Sequence, residues 1–446
     1  MNPSAPTRMC VVGDAVVDVM MGEPVKMRLG GVFHPARALW ATEVAFELLY
    51  VAPEYLDSNV ETYAESLGAG AVRRIGRVVG APNVVIVKEP TEAGPQGYEM
   101  LMRDSYRCEL LTADAISDLV SPETTDILIL TGSYPLGPVL DALALTSCRL
   151  HIDIANNLTD LSALQRLGRP VDTLITSTSS PLFQGPFDGD VGAMREAALN
   201  VAARFLFKEN RGGSRLFTGR DDDPNHVGAQ LRPVVHSVGV GDCFDAVFTG
   251  LESDGDVGHA LRIASWTAAE YAATTFVDDF KMNVQRTLAL PPEELEGYPG
   301  VSLSWEDRPQ TNVYVAAPDF DYRDTTLIDA VADALRYHNF TPRLPVRENG
   351  QAKPGDPERR RRELFGSDVD MLGECQILLA VLLDGDPGTL VEIGLAAGTG
   401  RPVVVYDPHG LAENLMLAYL PSLVSPSLDE VISEVFRLAA GLRTDD

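Results

Sequence analysis

Short, nearly unbroken apolar runs recur through the first two thirds of the chain: "MCVVGDAVVDV" (9–19), "NVVIVKE" (83–89), "DILILTG" (126–132), "RLHIDIA" (149–155) and "TLITST" (173–178). Mixed stretches with helical spacing separate them. Strands buried on both faces read this way, so the pattern predicts a large α/β domain with a mainly parallel sheet. The stretch "LPPEELEGYPGVSLSWEDRPQTN" (290–312) is rich in proline, glycine and acids and reads as a linker. After it the pattern starts afresh with "VYVAAPDF" (313–320), "ILLAVLLD" (377–384) and "PVVVYD" (402–407), a second and smaller α/β domain. The expected division is therefore 1–290, a linker at 291–311, and 312–446.

One polar residue interrupts the second pattern. In "LDGDPGTLVEIGLAAGTGRPVVVYD" (383–407), Glu392 stands between Val391 and Ile393 in an apolar helical run. Thr389 followed three residues later by Glu392 reads as a capping box, with a helix from Leu390 to about Ala397 that stops at Gly398 or Gly400. The second reading is a ligand site. Open α/β sheets bind ligands beyond the carboxyl ends of their strands, where Asp384, Asp386 and Glu392 all fall.

Composition narrows the partners. A formal charge of −28 repels nucleic acid and anionic membrane, which leaves small molecules. The five cysteines, Cys10, Cys108, Cys148, Cys243 and Cys375, are scattered without a C-x-x-C pair, so reduced thiols are expected and neither a disulfide framework nor a zinc site. The first residues lack a secretory apolar region and no run of eighteen apolar residues occurs, so a cytoplasmic protein is expected. The basic run "PERRRRELFG" (357–366) reads as an exposed helical face.

Four separated motifs of the C-terminal part resemble the nucleoside 2-deoxyribosyltransferase family. "VYVAAPDF" is similar to its opening strand and loop, with Tyr314 and Phe320 at the positions of an active-site tyrosine and aromatic; "GSDVDMLGECQILLAVLLDGDPGTLVEIG" is similar to its central block, with Asp368, Asp386 and Glu392; "ENLM" (413–416) matches the segment that sends an asparagine, here Asn414, into a neighbouring subunit's site. The resemblance implies a flavodoxin-like or Rossmann-like doubly wound domain and a homo-oligomer. It also implies displacement at C1′ of a nucleoside, with Glu392 as nucleophile, Tyr314 orienting it, and no cofactor. Asp386 would protonate the departing base or hold a sugar hydroxyl, and Asp368 would contact base or sugar. Asp370 and Asp384 are alternative carboxylates. The loop "APDFDYRDTT" offsets its acids only with Arg323, which favours a nucleoside over a nucleotide.

In the N-terminal part, "SVGVGDCFDAVFTG" (237–250) offers Gly239 and Gly241 for an anion hole at a helix start and Asp242 as a base for a substrate hydroxyl. This resembles the G-x-G-D motif of the ribokinase or PfkB carbohydrate kinases, and Asp18, Gly30 and Gly31 match that family's sugar-side positions. The resemblance implies a ribokinase-like α/β fold, and ATP and Mg2+ if the domain is an active kinase. Three stretches depart from the family, among them "GGSRLF" (212–217), which keeps only part of the usual glycine pattern. The region "TLITSTSSPLF" (173–183) offers no carboxylate where the family places N-x-x-E to organise magnesium, with Asp188 or Asp190 close enough in sequence to compensate. Pro35 stands where a sugar-binding asparagine is expected, and the adjacent His34 reads either as a structural histidine or as a polar contact that substitutes for it. No metal ligand set is expected elsewhere.

Two functions fit. One is a nucleoside-salvage enzyme pairing an N-glycosyl transferase or hydrolase with a sugar or nucleoside kinase, acting on nucleosides, nucleobases or pentoses. The other is a single-activity glycosyl enzyme whose N-terminal domain is a degenerate kinase serving as a ligand-binding or regulatory module.

Overall fold

The computed structural model describes residues 8–22, 24–154, 158–220, 222–252 and 255–444. They form two compact units. Unit 1 comprises 1–91 and 97–302, and unit 2 comprises 92–96 and 303–446.

Unit 1 is built on β1 (Arg8–Met20), β2 (Lys26–Gly31), β3 (Ala45–Ala52), β4 (Val72–Val79), β5 (Val84–Val87), β6 (Tyr98–Met100), β7 (Arg107–Leu110), β8 (Asp126–Leu130), β9 (Arg149–Asp153), β10 (Val171–Ser177), β11 (Ala202–Lys208), β12 (Ser214–Phe217) and β13 (Asn225–Val227). The main path runs β13-β12-β11-β10-β9-β8-β1-β3-β4-β7. From β4 through β11 the neighbours on this path are parallel. The apolar runs predicted as strands fall within β1, β5, β8, β9 and β10. β1 serves two sheets. Its first half pairs with β3 and β8, while Ala15–Met20 pairs antiparallel with β2 and Val17–Met20 parallel with β5. The helices Phe33–Ala41, Val240–Leu251 and Val257–Ala272 bury most of their length against one side of the sheet, in a core that includes Leu39, Phe244, Val247, Phe248 and Leu261.

Unit 2 contains β14 (Asn312–Ala316), β15 (Thr341–Arg343), β16 (Ile377–Val381), β17 (Val403–Tyr406) and β18 (Leu423–Ser425). All are parallel, in the order β15-β14-β16-β17-β18. Numbered within the unit this is 2-1-3-4-5, the flavodoxin-like order, whose ligand crevice opens between the first and third strands. Those strands are β14 and β16. The fully buried "ILLAV" of β16 explains the unbroken apolar run, because helices cover both faces of such a sheet.

One expectation is corrected. The helix carrying Glu392 runs Pro387–Gly398, and its cap is Asp386, whose Oδ2 accepts from the Thr389 N–H at 2.8 Å. Thr389 is inside the helix, because Pro387 is preset for a first helical position and starts it earlier than the capping-box reading allows. The stretch expected as a linker also packs. It forms a helix at Pro292–Glu296 and buries Leu295, Leu303, Trp305 and Arg308. No helix among the described residues is long and apolar enough to cross a membrane.

Candidate active site

In unit 2, β14 carries Tyr314 and the helix after β16 carries Glu392 in its second turn. The crevice between the two strands brings them together: the Tyr314 hydroxyl donates to Glu392 Oε1 at 2.7 Å. Burial pushes the Glu392 carboxyl up to about 7; the Tyr314 hydrogen bond pulls against it, and the Asp368 and Asp386 carboxylates push further upward. Burial and the neighbouring Glu392 hold the Tyr314 phenol well above its ordinary range, so it remains a donor. Asp368 lies on the helix Glu358–Glu374, where Asn349 donates to its Oδ1 at 2.8 Å and burial raises its carboxyl. Asp386 gives one oxygen to the start of the Glu392 helix, taking the Thr389 N–H and, at 3.1 Å, the Thr389 hydroxyl. Phe320 stacks on Tyr322 with centroids 5.4 Å apart, and the exposed Tyr322 continues that aromatic surface outward. Asp384 is exposed and paired with Arg323, and Asp370 is exposed.

In unit 1, buried Asp18 on β1 faces Gly30 on β2. A Cβ at Gly30 would lie 2.1 Å from the Asp18 carboxylate, so only glycine fits there. Gly31 turns the chain with φ +61°. His34 is buried with Nε2 3.0 Å from Asp18 Oδ2 and Nδ1 2.8 Å from the Tyr271 hydroxyl. Burial drives its imidazolium down to about 4 despite the attraction of Asp18, so the ring is neutral at pH 7. Gly239, with φ +72°, precedes the helix Val240–Leu251, and a Cβ there would lie 2.0 Å from the His34 ring. Asp242 stands in that helix's first turn. Burial raises its carboxyl to about 7, with Asp153 adding to the rise and Lys208 opposing it.

The comparisons separate the two units. Residues 313–417 match the family model described as nucleoside 2-deoxyribosyltransferase. Unit 2 carries a nucleoside 2-deoxyribosyltransferase domain. No curated protein matches the chain by sequence. Among solved structures, a Burkholderia thailandensis nucleoside kinase in complex with inosine is 12% identical, with 65% of this chain and 99% of that one covered at TM-score 0.50. Ribokinases from Thermotoga maritima and from Arabidopsis thaliana, the latter complexed with ribose and ATP, are 16% and 15% identical over 64% of this chain and 100% of theirs, at TM-scores 0.47 and 0.46. Unit 1 has the ribokinase fold.

The deoxyribosyltransferase domain brings Glu392, Tyr314, Asp368 and Asp386 into one electrostatic group and leaves Asn414 outside it. Asn414 is exposed, and its Oδ1 accepts from the Met416 N–H at 2.9 Å, capping the short helix Leu415–Tyr419. In the ribokinase-fold unit, Asp18 and His34 form a pair, and Gly239 packs against His34. Asp190 caps the helix Val191–Leu199, and Asp188 is exposed; neither joins the acidic cluster around Asp242. Sequence reasoning missed Lys208, Asp153 and Asp245. The Lys208 ammonium lies 3.0 Å from Asp153 Oδ2 and 2.6 Å from Asp245 Oδ2. It also missed Asn349, the partner of Asp368.

Proposed function

We propose that the deoxyribosyltransferase domain cleaves or exchanges the N-glycosidic bond of a nucleoside by double displacement, with Glu392 as nucleophile. The observation that carries this is the Tyr314–Glu392 hydrogen bond of 2.7 Å at the crevice between β14 and β16. An ionised Glu392 oxygen forms a bond to C1′ as the C1′–N bond breaks, and the electron pair leaves with the base, which takes up a proton. The resulting glycosyl ester is then opened at C1′ by the nitrogen of a second base or by water, which releases a proton and regenerates the Glu392 carboxylate. Tyr314 steadies one oxygen and leaves the other for attack. Asp386, partly committed to its helix, is the candidate donor to the leaving base or holder of a sugar hydroxyl. Asp368, fixed by Asn349, is the candidate contact to base or sugar, and Phe320 with Tyr322 offers a stacking surface for the base.

No cofactor enters this scheme. A second copy completes the site through Asn414, and the exposed apolar side chains of its helix, Leu415, Met416 and Tyr419, support such a contact. Unit 1, as a domain of its own, is a nucleoside- or pentose-binding module. The absence of a carboxylate in "TLITSTSSPLF" (173–183) supports a binding or regulatory role over kinase turnover. Deoxyinosine with free adenine, followed by chromatography, tests base exchange. Intact-mass analysis with a slow 2-fluoro nucleoside should show one pentosyl adduct on Glu392, and its absence, with exchange intact, would count against the covalent route.

A further inference from the structure

The resemblance of unit 1 to the ribokinase or PfkB kinases implies Mg2+ for an active kinase, so its acids can be tested for a divalent site. Asp153, Asp242 and Asp245 offer carboxylate oxygens all within 4.8 Å of one another, the hard donor set that such an ion takes. Two elements converge to make it: Asp153 ends β9, while Asp242 and Asp245 lie one turn apart on the helix Val240–Leu251. A third element brings in its own cation. Lys208 ends β11, and its backbone is held in register between Ser177 of β10 and Ser214 of β12. Its side chain is only 10% exposed, with the ammonium 3.0 Å from Asp153 and 2.6 Å from Asp245.

We infer that Lys208 is a tethered cation standing where a divalent metal would bind among Asp153, Asp242 and Asp245, so that this cluster in unit 1 excludes the metal. A divalent ion sits about 2.0–2.6 Å from its carboxylate oxygens. An ion on the same oxygens would therefore lie within a few ångströms of the ammonium, in a site with little water to screen the repulsion. The ammonium itself is held on two sides, by the carboxylates of Asp153 and Asp245. Asp245 Oδ1 is fully buried without a hydrogen-bond partner, an oxygen that a metal would use and an ammonium already engaged with two others does not. Gly241 places the same ammonium beneath the first helical turn, where a Cβ would stand 3.1 Å from Nζ. The absence of a carboxylate in "TLITSTSSPLF" is consistent with a unit that has replaced metal by lysine.

The probe is Mn2+, titrated into the full chain and followed by the loss of its free-ion electron paramagnetic resonance signal. Lys208→Ala and Lys208→Met should each gain one bound Mn2+ per chain, about tenfold or more tighter than anything wild type binds in this cluster. Mg2+ should compete for it, and Asp245→Asn added to Lys208→Ala should abolish it. Wild type and Asp245→Asn should take up Mn2+ equally, a comparison that needs no lysine variant to fold. A wild-type Mn2+ site that Asp245→Asn removes would overturn the inference, as would folded Lys208 variants that bind no more Mn2+ than wild type.

Discussion

Replacing Glu392 with glutamine should make the deoxyribosyltransferase domain inactive and, at alkaline pH, more stable. Glutamine keeps an oxygen to accept from Tyr314 and cannot ionise. Burial raises the Glu392 carboxyl from 4.5 to about 7, and a difference of that size corresponds to roughly 3 kcal/mol between its protonation states. The sign follows from linkage: a carboxyl whose folded value is raised contributes stability below about pH 4.5 and loses it as pH climbs through about 7. Wild type should thus weaken between pH 5 and pH 8, whereas Glu392→Gln should not. With a discount for partial exposure, the variant gains about 2 kcal/mol at pH 8 and close to none at pH 5. For a unit of this size that is a rise of roughly 6–8 °C in melting temperature at the higher pH. Calorimetry of the full chain at both values measures it, beside base exchange, which should fall by at least about a hundredfold. A variant with the same pH 8 melting temperature as wild type would refute the burial argument, and one that retains exchange would refute the nucleophile.

Tyr314→Phe removes the one interaction that pulls the Glu392 carboxyl downward, so the rising limb of the exchange pH profile should move above about 7, with a rate loss of about tenfold at neutrality that shrinks by pH 9; an unmoved limb would show that the hydroxyl does not act on Glu392. Gly239→Ala should destabilise unit 1 by about 2–4 kcal/mol, because its Cβ would meet the His34 ring at 2.0 Å from a backbone with φ +72°, and a change under about 0.5 kcal/mol in urea unfolding would contradict this packing. Tyr419→Asp, on an 82% exposed side chain, should split the oligomer by light scattering, and a mixture of Asn414→Ala with Glu392→Ala chains should recover part of the activity; a fully active wild-type monomer would defeat both.

Glu392 was legible because a lone acid in an apolar helix after a buried strand has few structural uses. Its partner Tyr314 required the family resemblance, since 78 residues separate the two and only the parallel pairing of β14 with β16 joins them. The helix start was misread because two caps were compatible with "GDPGT", and Pro387 decides for the earlier one. Lys208, Asp153 and Asp245 escaped notice although each obeys the rule that exposed Glu392. Two are single charges ending apolar strands, and the third is an acid inside the apolar helix "VGDCFDAVF". No local spacing relates them, and their meeting is a product of sheet order. In the stretch after residue 290, proline and acids concealed Trp305 and Arg308, both of which are buried.

The five residues 92–96 belong to unit 2 although more than two hundred residues separate them from the rest of it. Within that unit Tyr337 donates to Glu92 at 2.7 Å, and the His338 ring lies 3.2 Å from the Ala93 carbonyl. The backbone consequently passes between the units three times. During synthesis this short segment leaves the ribosome long before its partners exist, and it stays unsatisfied until the helix Thr326–Tyr337 has been made. A cut after residue 302 therefore leaves part of unit 2 on the first fragment, and neither fragment carries that unit complete.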